Sequence, residues 1–182
     1  IASCLVGSEM CIRDRQQGQR SKFQVALNFL KTITPFLRIG YREFAERQTA
    51  FNAAMSYVMK NALTDSEQGL VIDPNKVLVS HGSLTQAFNA AVTAEEDKVL
   101  FTWLDNSGQG NAMATDAAML LVYNKEKNLA VYDAAAATRM DINAELQLPK
   151  DWKSDTLIAY LGFCSTTDES VANSVCLPLT VS

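Results

Sequence analysis

The spacing of apolar positions changes partway along the chain. After Gln16, Phe23, Ala26, Leu27, Leu30 and Ile33 recur at three- and four-residue intervals, with Lys22, Asn28 and Lys31 on other faces. That spacing predicts an amphipathic helix. Pro35 should end or kink it, because proline lacks an N–H and its ring crowds the preceding turn; Thr34 before it is biased away from the α region. A short Phe36–Phe44 segment follows. Ala50, Ala53, Ala54, Tyr57, Val58 and Leu63 then predict a further helix, with Thr49 as its N-cap. The aromatics of this half, including Phe23, Phe29 and Phe36, are assigned to its core.

Beyond Asp65 the period falls to two. Val77–Ser80, Val99–Leu104, Ala118–Tyr123, Leu129–Tyr132, Ile142–Leu148, Leu157–Phe163 and Val171–Leu177 read as strands. Turn-forming runs such as Asp105-Asn106-Ser107-Gly108 and Thr167-Asp168-Glu169-Ser170 separate them. About seven short strands with no helical interludes predict an antiparallel sandwich. Trp103 suits the core tryptophan of a fibronectin type III-like domain. The Leu146–Pro149 passage to Tyr160 suits its corner tyrosine, whose hydroxyl reaches back to backbone. The expected fold is α+β: a helical segment over 16–66, then a seven-stranded antiparallel fibronectin type III-like β-sandwich over 67–182.

Leu5–Arg15 reads LVGSEMCIRDR, which is the codon-by-codon translation of a transposase adapter used in sequencing libraries. Residues 1–15 are therefore expected to be non-native, extended or disordered, and without function. On that reading Cys4 and Cys11 drop out, leaving Cys164 and Cys176. Their offset on neighbouring strands favours two reduced thiols. The missing signal peptide loses its meaning too, so localisation stays open.

Charge divides the same two halves. Gln16–Lys60 carries seven basic and two acidic residues, whereas the chain from Asn61 onward carries seven basic and sixteen acidic. Such asymmetry can mark a nucleic-acid arm, but binding would need exposed aromatics that the helix core already claims. The expectation is docking between the halves or onto a protein partner, with no nucleic acid. No apolar run approaches the roughly 20 residues that span a bilayer, so no membrane partner is expected.

Chemistry is sparse. His81 is the only histidine. Ser80 beside it would point to the opposite face of a strand, so His81 is expected in a turn or facing solvent. One histidine and two distant cysteines do not make a zinc site. Neither a phosphate-binding loop nor a dinucleotide fingerprint is present. Glu95-Glu96-Asp97 reads as a solvated loop. No catalytic residue, metal or cofactor is expected, and the protein is not expected to be an enzyme. The one oxygen-rich loop contains Asp105, Asn106, Gln109 and Asn111, the candidate binding residues. Its spacing is not that of an EF-hand, and the same residue types serve a strand connection.

Several stretches carry a resemblance. They are Gln19–Phe23, Thr34–Tyr41, Thr49–Tyr57, Val77–Ser80 with Gly82, Thr102–Ala112, Ala114–Asp116 and Ser174-Val175. Together they resemble an uncharacterised bacterial family, domain of unknown function six-two-six-six. Its members begin some forty residues earlier with a glycine-rich segment, which would make this chain a truncated member. A similar pattern in phage-associated proteins implies a virion or prophage setting. The family implies no activity. The function expected is a non-enzymatic structural or protein-binding module, acting through a protein partner or self-assembly. The alternative is a small-ligand or carbohydrate-binding sandwich that uses the Asn106–Asn111 loop.

Overall fold

Local signals set the helical layer. The computed structural model describes residues 18–179, residues 68 and 96 excepted, so the stretch expected to be adapter-derived lies outside the described residues. Helix α1 covers 18–30, α2 Thr34–Gly40 and α3 Ala50–Asn61. Between α1 and α2 the chain tightens into a 3₁₀ turn at Lys31–Ile33. Pro35 then sits in the first turn of α2, where its missing N–H would have had no partner anyway. Thr34 stays in the α region, contrary to expectation, with φ −51° and ψ −45°. The helix restarts at the proline instead of ending there. Thr49 caps α3 as expected, its Oγ1 accepting from the Asn52 N–H at 3.2 Å.

Nine strands follow among the described residues, all paired antiparallel. They are β1 Leu63–Ser66, β2 Gly69–Ile72, β3 Phe88–Ala94, β4 Lys98–Leu104, β5 Ala117–Asn124, β6 Leu129–Thr138, β7 Asn143–Gln147, β8 Leu157–Cys164 and β9 Val175–Pro178. They form a β1-β2 hairpin, a three-stranded sheet β3-β4-β7 and a four-stranded sheet β6-β5-β8-β9. The α+β class holds. The strand inventory differs in several places, and β6 runs six residues beyond the expected Tyr132. The β1-β2 hairpin spans the boundary expected at 66/67. Val77–Ser80 is not a strand, and the Val79 and Ser80 N–H groups turn to Ser174 Oγ at 2.9 and 3.4 Å. Its place in the count passes to β3, which small residues and a register shift between Phe88 and Ala91 conceal. The final strand is also shorter, with Val171 making only an isolated bridge to Cys164.

The four-stranded sheet lies between two cores. On one face Leu120, Val122, Leu161 and Phe163 meet Val99, Phe101 and Trp103 of β4 and Leu146 of β7. On the other, Met119, Leu121, Tyr123 and Tyr160 meet Phe29, Leu30, Ile33, Phe36 and Val58 of the helices. Phe29 packs edge-on to Tyr123 at 4.8 Å between ring centroids. The result is three layers: helices, four strands, three strands. A strand covered on both faces has no reason to alternate, which explains the near-continuous apolar runs of β5 and β8.

Two expected aromatic placements change accordingly. Tyr160 faces the helical layer, not a corner of the sandwich, and its hydroxyl donates to the Pro74 carbonyl at 3.1 Å. Burial raises its phenol well above the ordinary range. Phe23 is 47% exposed, whereas Phe29 and Phe36 are buried as expected.

Candidate functional site

The connections at 105–116, 139–142 and 165–174 all leave the same end of the sandwich. Beneath them sits Arg139, which is fully buried. Its Nε donates to Asp116 Oδ2 at 3.1 Å, Nη1 to Asn106 Oδ1 at 2.7 Å and Nη2 to the Thr85 carbonyl at 2.9 Å. The guanidinium carbon lies 4.0 Å from the Phe163 ring centroid, a cation–π contact. The Arg139 carbonyl accepts from Trp103 Nε1 at 2.7 Å. Burial lowers the Arg139 pKa, and the Asp116 carboxylate works against that shift. Asp116 Oδ2 also accepts from the Met113 N–H at 2.8 Å, while its buried Oδ1 has no partner. One guanidinium therefore pins the segments at 85, 106 and 116 to its own turn.

The four residues expected to bind are placed within this framework. Asn106 is buried, with its carbonyl on Arg139 and its amide donating to the Gln86 carbonyl at 3.0 Å. Asn111 Oδ1 accepts from both the N–H and the hydroxyl of Thr85 at 2.8 Å, and its amide donates to the Ser83 carbonyl at 3.2 Å. The Gln109 carbonyl accepts from the Thr85 hydroxyl at 3.2 Å, and the residue is exposed. Asp105 is exposed, and bonds from the Ser107 hydroxyl and N–H hold its carboxyl below the usual range. Asn106, Gln109 and Asn111 thus converge on the 83–86 segment, whereas Asp105 folds onto its own turn. Arg139 and Thr85 carry no signal in the loop composition. One signal was available: Arg139 is the only arginine after Arg47, and a multi-acceptor buried site calls for a planar guanidinium.

Exposed apolar side chains also gather around this base. Phe88, Leu104, Met113, Met140 and Ile142 are each about half exposed or more, and all belong to this end. Phe88 opposes Leu104 across β3 and β4. The Ile142 carbonyl accepts from the Trp103 N–H, and the Met140 N–H donates to the Ala114 carbonyl. Ile142 is left-handed, with φ 59° and ψ −5°. A β-branched side chain is strained there, and such strain collects at working surfaces.

His81 is neither in solvent nor next to a nucleophile. It is half-buried, stacks on Phe44 at 5.0 Å and contacts Tyr57 at 5.3 Å, with Nδ1 2.6 Å from Asn173 Oδ1. The Ser80 hydroxyl turns away, donating to the Ala172 carbonyl at 2.8 Å. Register places Cys176 opposite Tyr160, so the two free thiols sit four residues apart along β8, about 13 Å at the usual strand rise. Burial raises both thiols. Arg42 of the basic half docks on the 165–170 connection, donating to the Ser165 and Asp168 carbonyls at 2.7 and 2.8 Å. Lys31, Arg38 and Arg47 remain exposed. Of the acidic run, Glu95 and Asp97 are exposed, and Glu96 lies outside the described residues. Among the described residues, no helix is long and apolar enough to cross a membrane.

Fold and site together define a class: an α+β fold of helices backing antiparallel sheets, with one loop end built on a buried arginine. The chain belongs to the family described as Family of unknown function (DUF6266), whose model matches residues 10–178. That match begins inside the stretch expected to be adapter-derived. No curated protein matches the chain.

Proposed function

We propose that the chain is a non-enzymatic, protein-binding module that engages its partner, or a second copy of itself, through the loop end of the sandwich. The observation that carries this reading is the gathering of Phe88, Leu104, Met113, Met140 and Ile142 at one end, over a base held by Arg139. Single exposed apolar residues are ordinary, but several at one end of a rigid frame suit a buried interface centre. The three-plus-four partition of strands, with Trp103 edge-on to Phe163 across the two sheets, supports a fibronectin type III-like arrangement. Loops at one end of such a sandwich are the usual recognition surface.

Ligand or carbohydrate binding by the Asn106–Asn111 loop is less well supported. The side chains of Asn106 and Asn111 are committed to Arg139 and to the 83–86 segment. Trp152 and Tyr132, aromatics on which a sugar could stack, are also engaged: Trp152 is buried, and Tyr132 packs on Phe36. A virion or prophage setting rests on the sequence resemblance, and capsid or tail genes beside the intact gene would support it.

The test is site-specific photo-crosslinking in cells. A crosslinker at Met140 should capture a discrete protein or a second copy of the chain. The same group at Glu145, on the outer face of β7 away from this end, should not. Capture at neither position, or equally at both, would overturn the reading.

A further inference from the structure

We infer that the cleft between α1, β2 and the four-stranded sheet binds a single-chain anionic amphiphile, a medium-chain carboxylate in class, with its tail inward and its head group at Lys125. The cleft encloses about 390 Å³, inside the range of small-ligand pockets. Val25, Phe29, Leu70, Ile72 and Ile158 give it an alkyl-like wall.

The polar side chains that reach the wall already have partners. The Tyr123 hydroxyl donates to Asn128 Oδ1 at 2.7 Å, and the Asn128 amide donates to the Asn28 carbonyl at 3.3 Å. Asn28 Oδ1 accepts from Gln24 at 3.0 Å, and the Tyr160 hydroxyl is held by Pro74. A sugar or nucleotide entering here would give up hydrogen bonds to water without replacement. An alkyl chain loses none and gains burial.

The head group is chosen by charge. Lys125 lines the cleft and is exposed. The carboxylates nearest it in the chain and on the adjoining turns are occupied: Glu126 by the Thr156 N–H and hydroxyl, Asp155 by Lys127, and Asp73 by Lys76 at 3.4 Å. That leaves the Lys125 ammonium to meet an anion at the rim. The cleft borders the β5–β6 turn, at the end of the sheet opposite the loop end, so either site can fail without the other.

The test is titration of the full chain with decanoate and with neutral decanol, followed by methyl NMR and calorimetry. Decanoate should bind saturably and shift the methyls of Val25, Leu70 and Ile158. Lys125→Gln should weaken decanoate about fivefold, as an exposed ion pair allows, and leave decanol unchanged. The proposal fails if those methyls do not shift by about 1 mM decanoate. It fails equally if Lys125→Gln binds decanoate unchanged, or if the cleft methyls show contacts to the chain's own residues 1–17.

Discussion

Replacing Arg139 by methionine tests the base of the loop end most directly. The side chain is fully buried, so the substitution keeps an unbranched apolar stem and removes only the guanidinium. Asn106 Oδ1 and the Thr85 carbonyl lose the guanidinium as donor, while the Gln86 carbonyl keeps the Asn106 amide. Asp116, which already has one oxygen without a partner, becomes a buried carboxylate with no countercharge. Breaking a buried pair from one side costs about 3–5 kcal/mol. Against a typical total of about 5–15 kcal/mol, that is about a fifth of the stability or more. It corresponds to a drop of about 6–20 °C in Tm for a chain of this size. Asp116→Asn should cost less, about 1–2 kcal/mol, because the guanidinium keeps its other acceptors and exchanges a carboxylate oxygen for an amide oxygen. The double variant should cost less than the two singles together, because it removes both charges. Urea unfolding followed by tryptophan fluorescence reads all three, since Trp103 and Trp152 are both buried. The reasoning is refuted if R139M lies within about 1 kcal/mol of the parent, or if D116N proves the costlier single change.

Three further outcomes are expected. Gly40→Ala would place a Cβ 2.4 Å from the Val79 carbonyl oxygen; the resulting shift of α2 should cost about 2 kcal/mol, and an unchanged thermal midpoint by circular dichroism would contradict it. Ile142→Asn should stabilise by about 1 kcal/mol by relieving the left-handed backbone, because Ile142 is 48% exposed and loses little burial; calorimetry checks the sign. Acid should destabilise the fold through four carboxyls held below their ordinary 3.8: Asp105 by Ser107, Asp141 by Thr138, Asp155 by Lys127 and Asn124, and Asp168 by Ser170. Depressed folded values mean that this stability is fully present above the unfolded value and is lost as pH falls through the folded ones. Tm should therefore drop below about pH 4, and a flat profile between about pH 5 and 2.5 would count against it.

Much of the fold was legible because local signals and burial agree. Thr49 caps α3 where expected, and β4, β5 and β8 lie where their apolar runs predict. Illegibility has physical causes at particular residues. β3 reads FNAAVTA, a half-exposed edge strand with small side chains and a positive φ at Asn89, so little burial pattern marks it. Val77 and Val79 are buried without forming a strand, because Ser174 satisfies the backbone there. Periodicity reports burial, not hydrogen-bonding partner. At the candidate site, the Asp105–Asn111 composition marked the right end of the molecule. It did not reveal that Asn106 points inward, because its partner Arg139 lies 33 residues further along the chain. The side of the sheet that Tyr160 faces was equally hidden, since nothing local encodes the helical layer above it.

The two-sided four-stranded sheet has a consequence for portability. Sandwich domains strung in tandem are self-sufficient beads that can be cut and respliced at their linkers. Here, Met119, Leu121, Tyr123 and Tyr160 would meet water as soon as the helices were removed. A fragment beginning at residue 67 would therefore carry a sticky outer wall and would aggregate or recruit a substitute cover. The helices are this sandwich's lid, and the unit that can be moved between proteins includes both.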